Sequence, residues 1–194
     1  MSKKSIFNEK DFNSSDGMLT SVWGPPLWHS LHTISFNYPT NPTEQNKKDY
    51  MVFFKSLKNI LPCKYCRDNL KKNLKILPLK KSTFKNRESL SRWVYNLHEL
   101  VNKNLGKKSN LSYEDVKNRY ENFRARCLNV KSSKEKNSIE KNFKGKKSIE
   151  KNSIEKGCTD SLYGIKSKCV LNIIPKEKKT ESLIIDPKCF IKKK

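Results

Sequence analysis

The sequence contains no long apolar run. No stretch approaches the roughly 18 consecutive apolar residues that a membrane-spanning helix requires, and the mean hydropathy of the 194 residues is -0.83. The lysines near the N-terminus are not followed by the apolar segment of a secretory leader. We therefore expect a protein that neither spans a membrane nor carries a standard secretory signal.

Arginine is scarce although the chain is strongly basic. Lysine and arginine together number 42 against 19 acidic residues, which gives a formal charge of +23, but only six of the 42 are arginines. Recognition of base edges and bidentate binding of phosphate both favour arginine. The composition therefore favours a basic, solvated surface, and a dedicated nucleic-acid function is the minor alternative.

Strand patterns are absent before residue 127, where apolar residues instead recur at spacings of three and four. This periodicity predicts an all-α fold, a compact bundle of five helices. Pro25 and Pro26 suit a helix start and are expected not to lie inside a helix, so the first helix is predicted to open there. Asn41 is the predicted cap of the second helix, which should end before Pro62.

The remaining three helices are predicted from their caps and stops. The third begins at Cys63 and ends at Pro78, and the fourth runs from a cap at Asn86 to Gly106. A capping box at Ser112 opens the fifth, which is predicted to run up to Cys127.

The C-terminal third of the chain changes composition twice. Three near copies of a SIEK unit make residues 131–157 a low-complexity linker, and residues 158–194 are predicted to form a small separate module. Short β-prone runs at 170–174 and 183–185 predict a small hairpin there, stapled by cysteines or supported by the bundle. Residues 1–19 are expected to be flexible, so the helical domain should occupy residues 20–127.

The six cysteines include one closely spaced pair, Cys63 and Cys66. A CxxC at a helix N-terminus places backbone N–H groups and the positive end of the helix dipole beside a thiol, which favours the thiolate and permits a reducible disulfide. The alternatives are half of a zinc site or two buried thiols. Four cysteines lie scattered toward the C-terminus, unlike a dense secreted scaffold: Cys127, Cys158, Cys169 and Cys189.

Two pairs of side chains at helical spacing of four could form a binding surface. Trp28 and His32 share a face of the first helix, and His98 and Asn102 share a face of the fourth. Aromatic, imidazole and amide groups together can hold a planar heteroaromatic such as a nucleotide cofactor. Core aromatics with satisfied polar partners are the alternative for each pair taken alone.

Taken in order, these features resemble the Erv/ALR family of FAD-linked sulfhydryl oxidases over about residues 20–127. The resemblance rests on Trp28-x-x-Leu31-His32-Thr33, Tyr38-Pro39, Cys63-x-x-Cys66, Trp93, Leu97-His98-x-x-Val101-Asn102-x-x-Leu105-Gly106-Lys107 and the final tyrosine-bearing helix. It implies an FAD-dependent thiol oxidase that forms disulfide bonds in protein substrates and passes electrons to O₂, giving hydrogen peroxide. It also implies a four-helix bundle with a short fifth helix, with FAD in the mouth of the bundle, and a homodimer.

The resemblance implies roles for individual residues. Cys66 would face the flavin and Cys63 the incoming thiols, and no metal ligands are expected. The cofactor-binding residues it implies are Gly24, Trp28, His32 and Tyr38 on the adenine side, and His98, Val101, Asn102, Leu105, Lys107 and Tyr120 around the rest of FAD. Lys107 would offer charge to the pyrophosphate.

Two departures from the family pattern stand out. Glu99 replaces the asparagine that commonly follows the histidine of the fourth helix, and Tyr95 and the region of Ser112 stand where a structural disulfide would be. A shuttle cysteine pair, common in the family, has no second CxxC here, so its candidates are Cys158, Cys169 and Cys189.

The competing interpretation is a non-enzymatic, cysteine-bearing basic interaction module that binds zinc or nucleic acid. The missing leader, the SIEK repeats and the residue bias favour a large DNA virus as the source. A viral protein would act in the host cytoplasm or the virion, and the mitochondrial intermembrane space is the alternative.

Overall fold

A computed structural model describes residues 17–127, 158 and 160–189 of the chain. Within them lie five α-helices, α1 (Thr20–Phe36), α2 (Glu44–Ile60), α3 (Lys64–Ile76), α4 (Arg87–Asn104) and α5 (Tyr113–Glu121), and two 3₁₀ helices, Lys81–Phe84 and Pro187–Cys189. The predicted all-α fold with a short fifth helix is therefore confirmed. None of these described helices is long and apolar enough to cross a membrane.

The chain divides into two compact units. One comprises residues 1–120 and 171–184, and the other comprises residues 121–170 and 185–194. The SIEK repeats and the first 16 residues lie outside the described residues. The domain boundaries expected from the sequence stay predictions.

The first helix begins earlier than predicted, and Pro25 and Pro26 lie inside it. The amides of Val22 and Trp23 already donate to the carbonyl of Leu19. A proline cannot donate a hydrogen bond to the carbonyl four residues before it. Pro25 and Pro26 therefore leave the carbonyls of Ser21 and Val22 without their helical hydrogen bonds. Both residues are exposed, so water can satisfy these carbonyls, and the fixed φ of proline suits a helix.

Side-chain caps set most of the other helix starts. Thr43, and not the predicted Asn41, caps α2, because its hydroxyl accepts from the Asn46 amide and the Asn46 side chain accepts in return from Thr43. The predicted cap at Asn86 is confirmed. The predicted capping box at Ser112 is also confirmed. The side chains of Ser112 and Asp115 each accept a hydrogen bond from the backbone amide of the other residue.

The fifth helix ends at Glu121, six residues before the predicted Cys127. Residues beyond it form a turn and then strand β1 (Ala125–Arg126), which pairs antiparallel with β2 (Asp160–Ser161). Strand pairing thus takes up the residues that the helical spacing had assigned to α5.

The core lies among the first four helices. Phe54 of α2 meets the edge of Trp93 of α4 at a ring distance of 5.7 Å, and the Tyr38 hydroxyl donates to the carbonyl of Phe84 over 2.9 Å. Leu31 and Leu70 add α1 and α3 to the same cluster. Each such large side chain contributes roughly 1.5–3 kcal/mol when it leaves water.

The predicted C-terminal hairpin is wrong. Residues 170–174 and 183–185 form no strand, and Val170 and Ile173 are 66% and 72% exposed. β-Propensity reflects packing on a half-buried face, and these runs bury no such face. Cys158 pairs with Cys127 in a disulfide, whereas Cys169 and Cys189 are free.

Candidate functional site

Cys63 and Cys66 occupy the N-terminus of α3, as the sequence predicts. Cys63 is the N-cap, and its sulfur accepts a hydrogen bond of 3.3 Å from the Cys66 amide. Both thiols are free. The Thr20 hydroxyl of α1 lies 3.8 Å from the Cys66 sulfur, so the pair sits at the contact between α3 and the start of α1.

The two thiols have unequal acidity. Burial works against ionisation of Cys63, but hydrogen bonds from the Cys66 side chain and backbone leave the pKa of the Cys63 thiol below its ordinary value. Burial raises the pKa of the Cys66 thiol, and the hydrogen bond with Cys63 acts in the same direction. Cys63, at the positive end of the helix dipole, is therefore the sulfur that more readily becomes a thiolate.

Three of the four side chains in the two predicted pairs, Trp28, His32 and His98, meet where α1 and α4 pack together. The rings of Trp28 and His98 stack with centroids 4.0 Å apart and planes within 5° of parallel. His32 Nε2 lies 3.1 Å from His98 Nδ1. The predicted surface thus combines stacked rings with imidazole nitrogen atoms at hydrogen-bond distance.

His32 has an unsatisfied polar atom. It is only 3% exposed, and its Nδ1 has no partner among the described residues. Burial, followed by His98 and His29, lowers the pKa of His32 to about 3, and burial lowers the pKa of His98 to about 4. Both rings are neutral at neutral pH, so one nitrogen of His32 bonds His98 and the other is left for a further polar partner.

Tyr120 of α5 completes the cluster. Its ring stacks on His32 at 5.1 Å and on Phe36 at 5.4 Å, and its hydroxyl lies 3.3 Å from His29 Nδ1. Sequence reasoning missed His29 and Phe36. The signal that could have found them is spacing: Phe36 follows His32 by four residues on the same helix face.

Basic and amide groups surround the end of α4. The Asn102 side chain donates to Glu99 over 3.1 Å, and the Lys107 amide donates to the Asn102 carbonyl over 2.8 Å. A cavity of about 570 Å³ here is lined by Glu99, Lys103, Gly106, Lys107, Lys108, Ser109, Asn110 and Leu111. Glu99 therefore accepts the hydrogen bond of the Asn102 side chain. The lysines Lys103, Lys107 and Lys108 place positive charge around the cavity.

The remaining predicted cofactor residues lie in three settings. Gly24 is buried one turn before Trp28 on α1. Val101 is half-buried on α4, and Leu105 is exposed after it. Tyr38 lies in the core, where its ring meets Tyr50 at 4.6 Å. The described contacts of Tyr38 are with the core and not with Trp28 or His98, and its role as a cofactor contact stays a prediction.

The sequence model of the Erv1/Alr family matches residues 25–121. A probable FAD-linked sulfhydryl oxidase of Acanthamoeba polyphaga mimivirus is 40% identical over 99 residues, which cover 51% of this chain and 68% of that protein. An FAD-linked sulfhydryl oxidase from an African swine fever virus isolate is 32% identical over 99 residues, 51% of this chain and 80% of that protein. The Arabidopsis thaliana enzyme named ERV1 is 36% identical, over 43% of this chain and 42% of its own length.

A solved structure is similar to about half of the chain. The FAD-binding domain of Erv1 from Saccharomyces cerevisiae shares 28% identity with a TM-score of 0.49, covering 53% of this chain and 94% of that structure.

Proposed function

This chain belongs to the Erv1/Alr family of FAD-linked sulfhydryl oxidases, and we propose that Cys63 and Cys66 are the pair through which it oxidises thiols to disulfides. We propose further that Trp28, His32 and His98 hold FAD. The observation that carries the proposal is the meeting of α1 and α4 at the stacked rings of Trp28 and His98, with the CxxC against the start of the same α1.

The residues present fit FAD. The unpartnered Nδ1 of the buried His32 needs a polar partner, which the edge of a nucleotide ring system can supply. Trp28 and His98 supply ring faces for stacking, and Lys107 at the end of α4 supplies positive charge for a pyrophosphate. Gly24, Tyr38, Val101, Asn102, Leu105 and Tyr120 are the further proposed contacts.

The CxxC pair would work by thiol–disulfide exchange. A substrate thiolate attacks the oxidised pair at Cys63, a bond forms between these two sulfurs, and the Cys63–Cys66 bond breaks with its electron pair left on Cys66. A second substrate thiol then displaces Cys63, so the substrate leaves as a disulfide and the pair is reduced by two electrons. FAD held by Trp28, His32 and His98 would supply a two-electron acceptor for the reduced pair and a route for these electrons to O₂, which with two protons gives hydrogen peroxide.

The structure offers support both for Cys66 and for Cys63 as the sulfur that faces the cofactor. Cys66 touches α1, the helix that carries Trp28 and His32, which supports Cys66 as the cofactor-facing sulfur. Cys63, however, is only 6% exposed and has the lower thiol pKa. A more accessible sulfur with a good leaving-group partner is attacked faster, which favours attack at Cys66. The absorbance spectra of the single serine variants decide between the two orders, because a long-wavelength charge-transfer band is expected in Cys63→Ser and not in Cys66→Ser if Cys66 faces the cofactor.

Protein dithiols are the proposed substrates. A homodimer is the proposed assembly, and it is supported by apolar side chains that α2 exposes and that a second copy would cover, Val52 at 68% and Ile60 at 63%. The similarity to mimivirus and African swine fever virus proteins supports a viral setting in host cytoplasm or virion. A yeast relative that is named as a mitochondrial FAD-linked sulfhydryl oxidase supports a mitochondrial setting as the alternative, for which we propose the intermembrane space.

The proposal is tested by measuring flavin content and oxygen consumption on the purified protein. We expect a yellow protein with bound FAD that consumes oxygen when dithiothreitol is added and releases hydrogen peroxide. A colourless protein that binds zinc or nucleic acid and leaves dithiothreitol unoxidised would contradict it.

A further inference from the structure

The segment before α1 is fixed to the backbone beside the CxxC pair. The Met18 amide donates to the Pro62 carbonyl over 2.8 Å, and the Trp23 indole donates to the Met18 carbonyl over 2.8 Å. Gly17 has a φ of +69°, and a Cβ there would lie 1.9 Å from the Pro62 carbonyl oxygen. Only glycine fits such a position, so residues 17 and 18 are held against the residue directly before Cys63.

This attachment places the first residue of α1 beside a reacting sulfur. Thr20 Oγ1 lies 3.8 Å from Cys66 Sγ, and either atom can be the donor while Cys66 is a thiol. Once Cys66 is a thiolate, only the hydroxyl has a proton to donate. A hydrogen bond that is made to the charged form favours ionisation.

The other groups around the Cys66 sulfur act in both directions. Burial and the neighbouring Cys63 raise the pKa of the Cys66 thiol, whereas the Thr20 hydroxyl and a hydrogen bond from the Cys66 backbone lower the pKa of this thiol. Cys63 is the titratable group that faces the Cys66 sulfur. Arg67, the next residue of α3, donates its guanidinium to the Leu61 carbonyl. The hydroxyl that α1 presents is thus well placed to stabilise negative charge on Cys66.

We infer that Thr20 stabilises the thiolate of Cys66 and that residues 17 and 18 hold Thr20 in place for this role. The inference rests on the proposed function, because it takes Cys66 as a member of the redox pair. When the Cys63–Cys66 bond breaks, the electron pair stays on the Cys66 sulfur. The Thr20 hydroxyl donates a hydrogen bond to that sulfur and keeps its proton.

The test measures the pKa of Cys66 without using turnover. The rate at which iodoacetamide alkylates Cys66 is followed across a pH series in the full-length protein, with the other free cysteines removed by Cys63→Ser, Cys169→Ser and Cys189→Ser. Thr20→Val removes the hydroxyl and keeps the side-chain shape, whereas Thr20→Ser keeps the hydroxyl. Thr33→Val is the matched control, because that hydroxyl donates to the His29 carbonyl elsewhere on α1.

We expect Thr20→Val to raise the pKa of Cys66 by roughly half to one unit, and Thr20→Ser and Thr33→Val to leave it unchanged. Gly17→Ala should raise it as Thr20→Val does, because the added Cβ pushes the segment off Pro62. Circular dichroism of each variant confirms that the helices remain.

Two results would overturn the inference: an unchanged Cys66 pKa in Thr20→Val, or an equal rise in Thr20→Ser. An unchanged pKa in Gly17→Ala would overturn the role given to residues 17 and 18. Failure of the proposed function has a different signature. It would show as thiol-driven oxygen consumption that persists in Cys66→Ser, whatever the alkylation series gives.

Discussion

Residues 20–121 and residues 160–189 both contain apolar runs, but only the first stretch buries them. Phe54, Leu90 and Val94 are at most 1% exposed, whereas Val170 and Ile173 are 66% and 72% exposed. No described side chain of residues 160–189 is buried. The difference lies in spacing, because the apolar residues of the first stretch repeat at three and four and line one face of each helix. Periodicity, more than apolar content, builds the core of this protein.

The cysteines of the two stretches differ in the same way. Cys63 is buried at a helix N-terminus, and Cys169 is exposed outside any helix or strand. A reactive thiol needs a structured environment that stabilises the thiolate. The chemistry therefore belongs to the helical stretch in the proposed mechanism.

Replacing Cys66 should have the largest effect. Cys66→Ser is expected to reduce thiol-driven oxygen consumption by more than about a thousandfold, because the pair can no longer form its disulfide, while FAD stays bound. Cys63→Ser should be equally inactive. Oxygen uptake and flavin absorbance measure the two properties.

Cys169→Ser is the matched control in the other stretch, and it should retain full turnover with dithiothreitol. Activity that survives in Cys66→Ser, or that disappears in Cys169→Ser, would move the chemistry out of the helical stretch.

Truncating a core side chain should cost far more stability than truncating an exposed one. Phe54→Ala is expected to lower the free energy of unfolding by about 3–5 kcal/mol, and Val170→Ala should change it by less than about 0.5 kcal/mol. Urea denaturation followed by circular dichroism measures both. Equal losses would show that the C-terminal stretch contributes to a core.

The stacked rings should matter for the cofactor more than for the fold. Trp28→Ala removes one face of the stack, and we expect the purified variant to contain little FAD and to melt at a lower temperature, since bound ligand stabilises the folded state. Leu171→Ala, at an exposed position, serves as control. Full FAD occupancy in Trp28→Ala would favour core packing as the role of the stack.

Acidification should destabilise the helical stretch through its buried histidines. The pKa values of His32 and His98 are lowered to about 3 and about 4, so below pH 6.5 the unfolded chain takes up protons that the folded protein does not. Stability is therefore present above pH 6.5 and is lost as the pH falls toward the folded pKa values. Between pH 6.5 and pH 5 the expected loss is on the order of 1–2 kcal/mol per histidine.

Urea titrations at the two pH values measure this loss, and His32→Asn should reduce it by about one histidine's share. An unchanged pH dependence in His32→Asn would contradict the burial of a neutral ring at this position.

Local signals predicted much of the fold and part of the site. The caps at Asn86 and Ser112 and the CxxC at the start of α3 follow from side-chain chemistry within a few residues, which a sequence displays directly. The helical turn before Pro25 does not follow from such local chemistry, because its stability depends on exposed carbonyls and on contacts outside the helix. The same holds for the end of α5 at Glu121, where pairing with a strand distant in sequence prevails over periodicity.

Contacts between helices were the least predictable part of the site. Spacing placed Trp28 with His32 and His98 with Asn102, but the 3.1 Å contact of His32 with His98 and the unpartnered Nδ1 depend on how α1 and α4 pack. The contact of Thr20 with Cys66 depends likewise on residues 17 and 18 reaching Pro62.

The contrast between the two stretches is tested most directly by a chain that ends at Val130. This truncation removes residues 171–184, which belong to the same compact unit as the helices, although each of them is exposed or at most half-buried. The measurement is FAD content together with oxygen consumption on dithiothreitol. We predict a yellow protein with the turnover of the full chain, because residues 20–121 hold both the ring cluster and the CxxC. A colourless or insoluble product would contradict it, and would make the C-terminal stretch part of the catalytic fold.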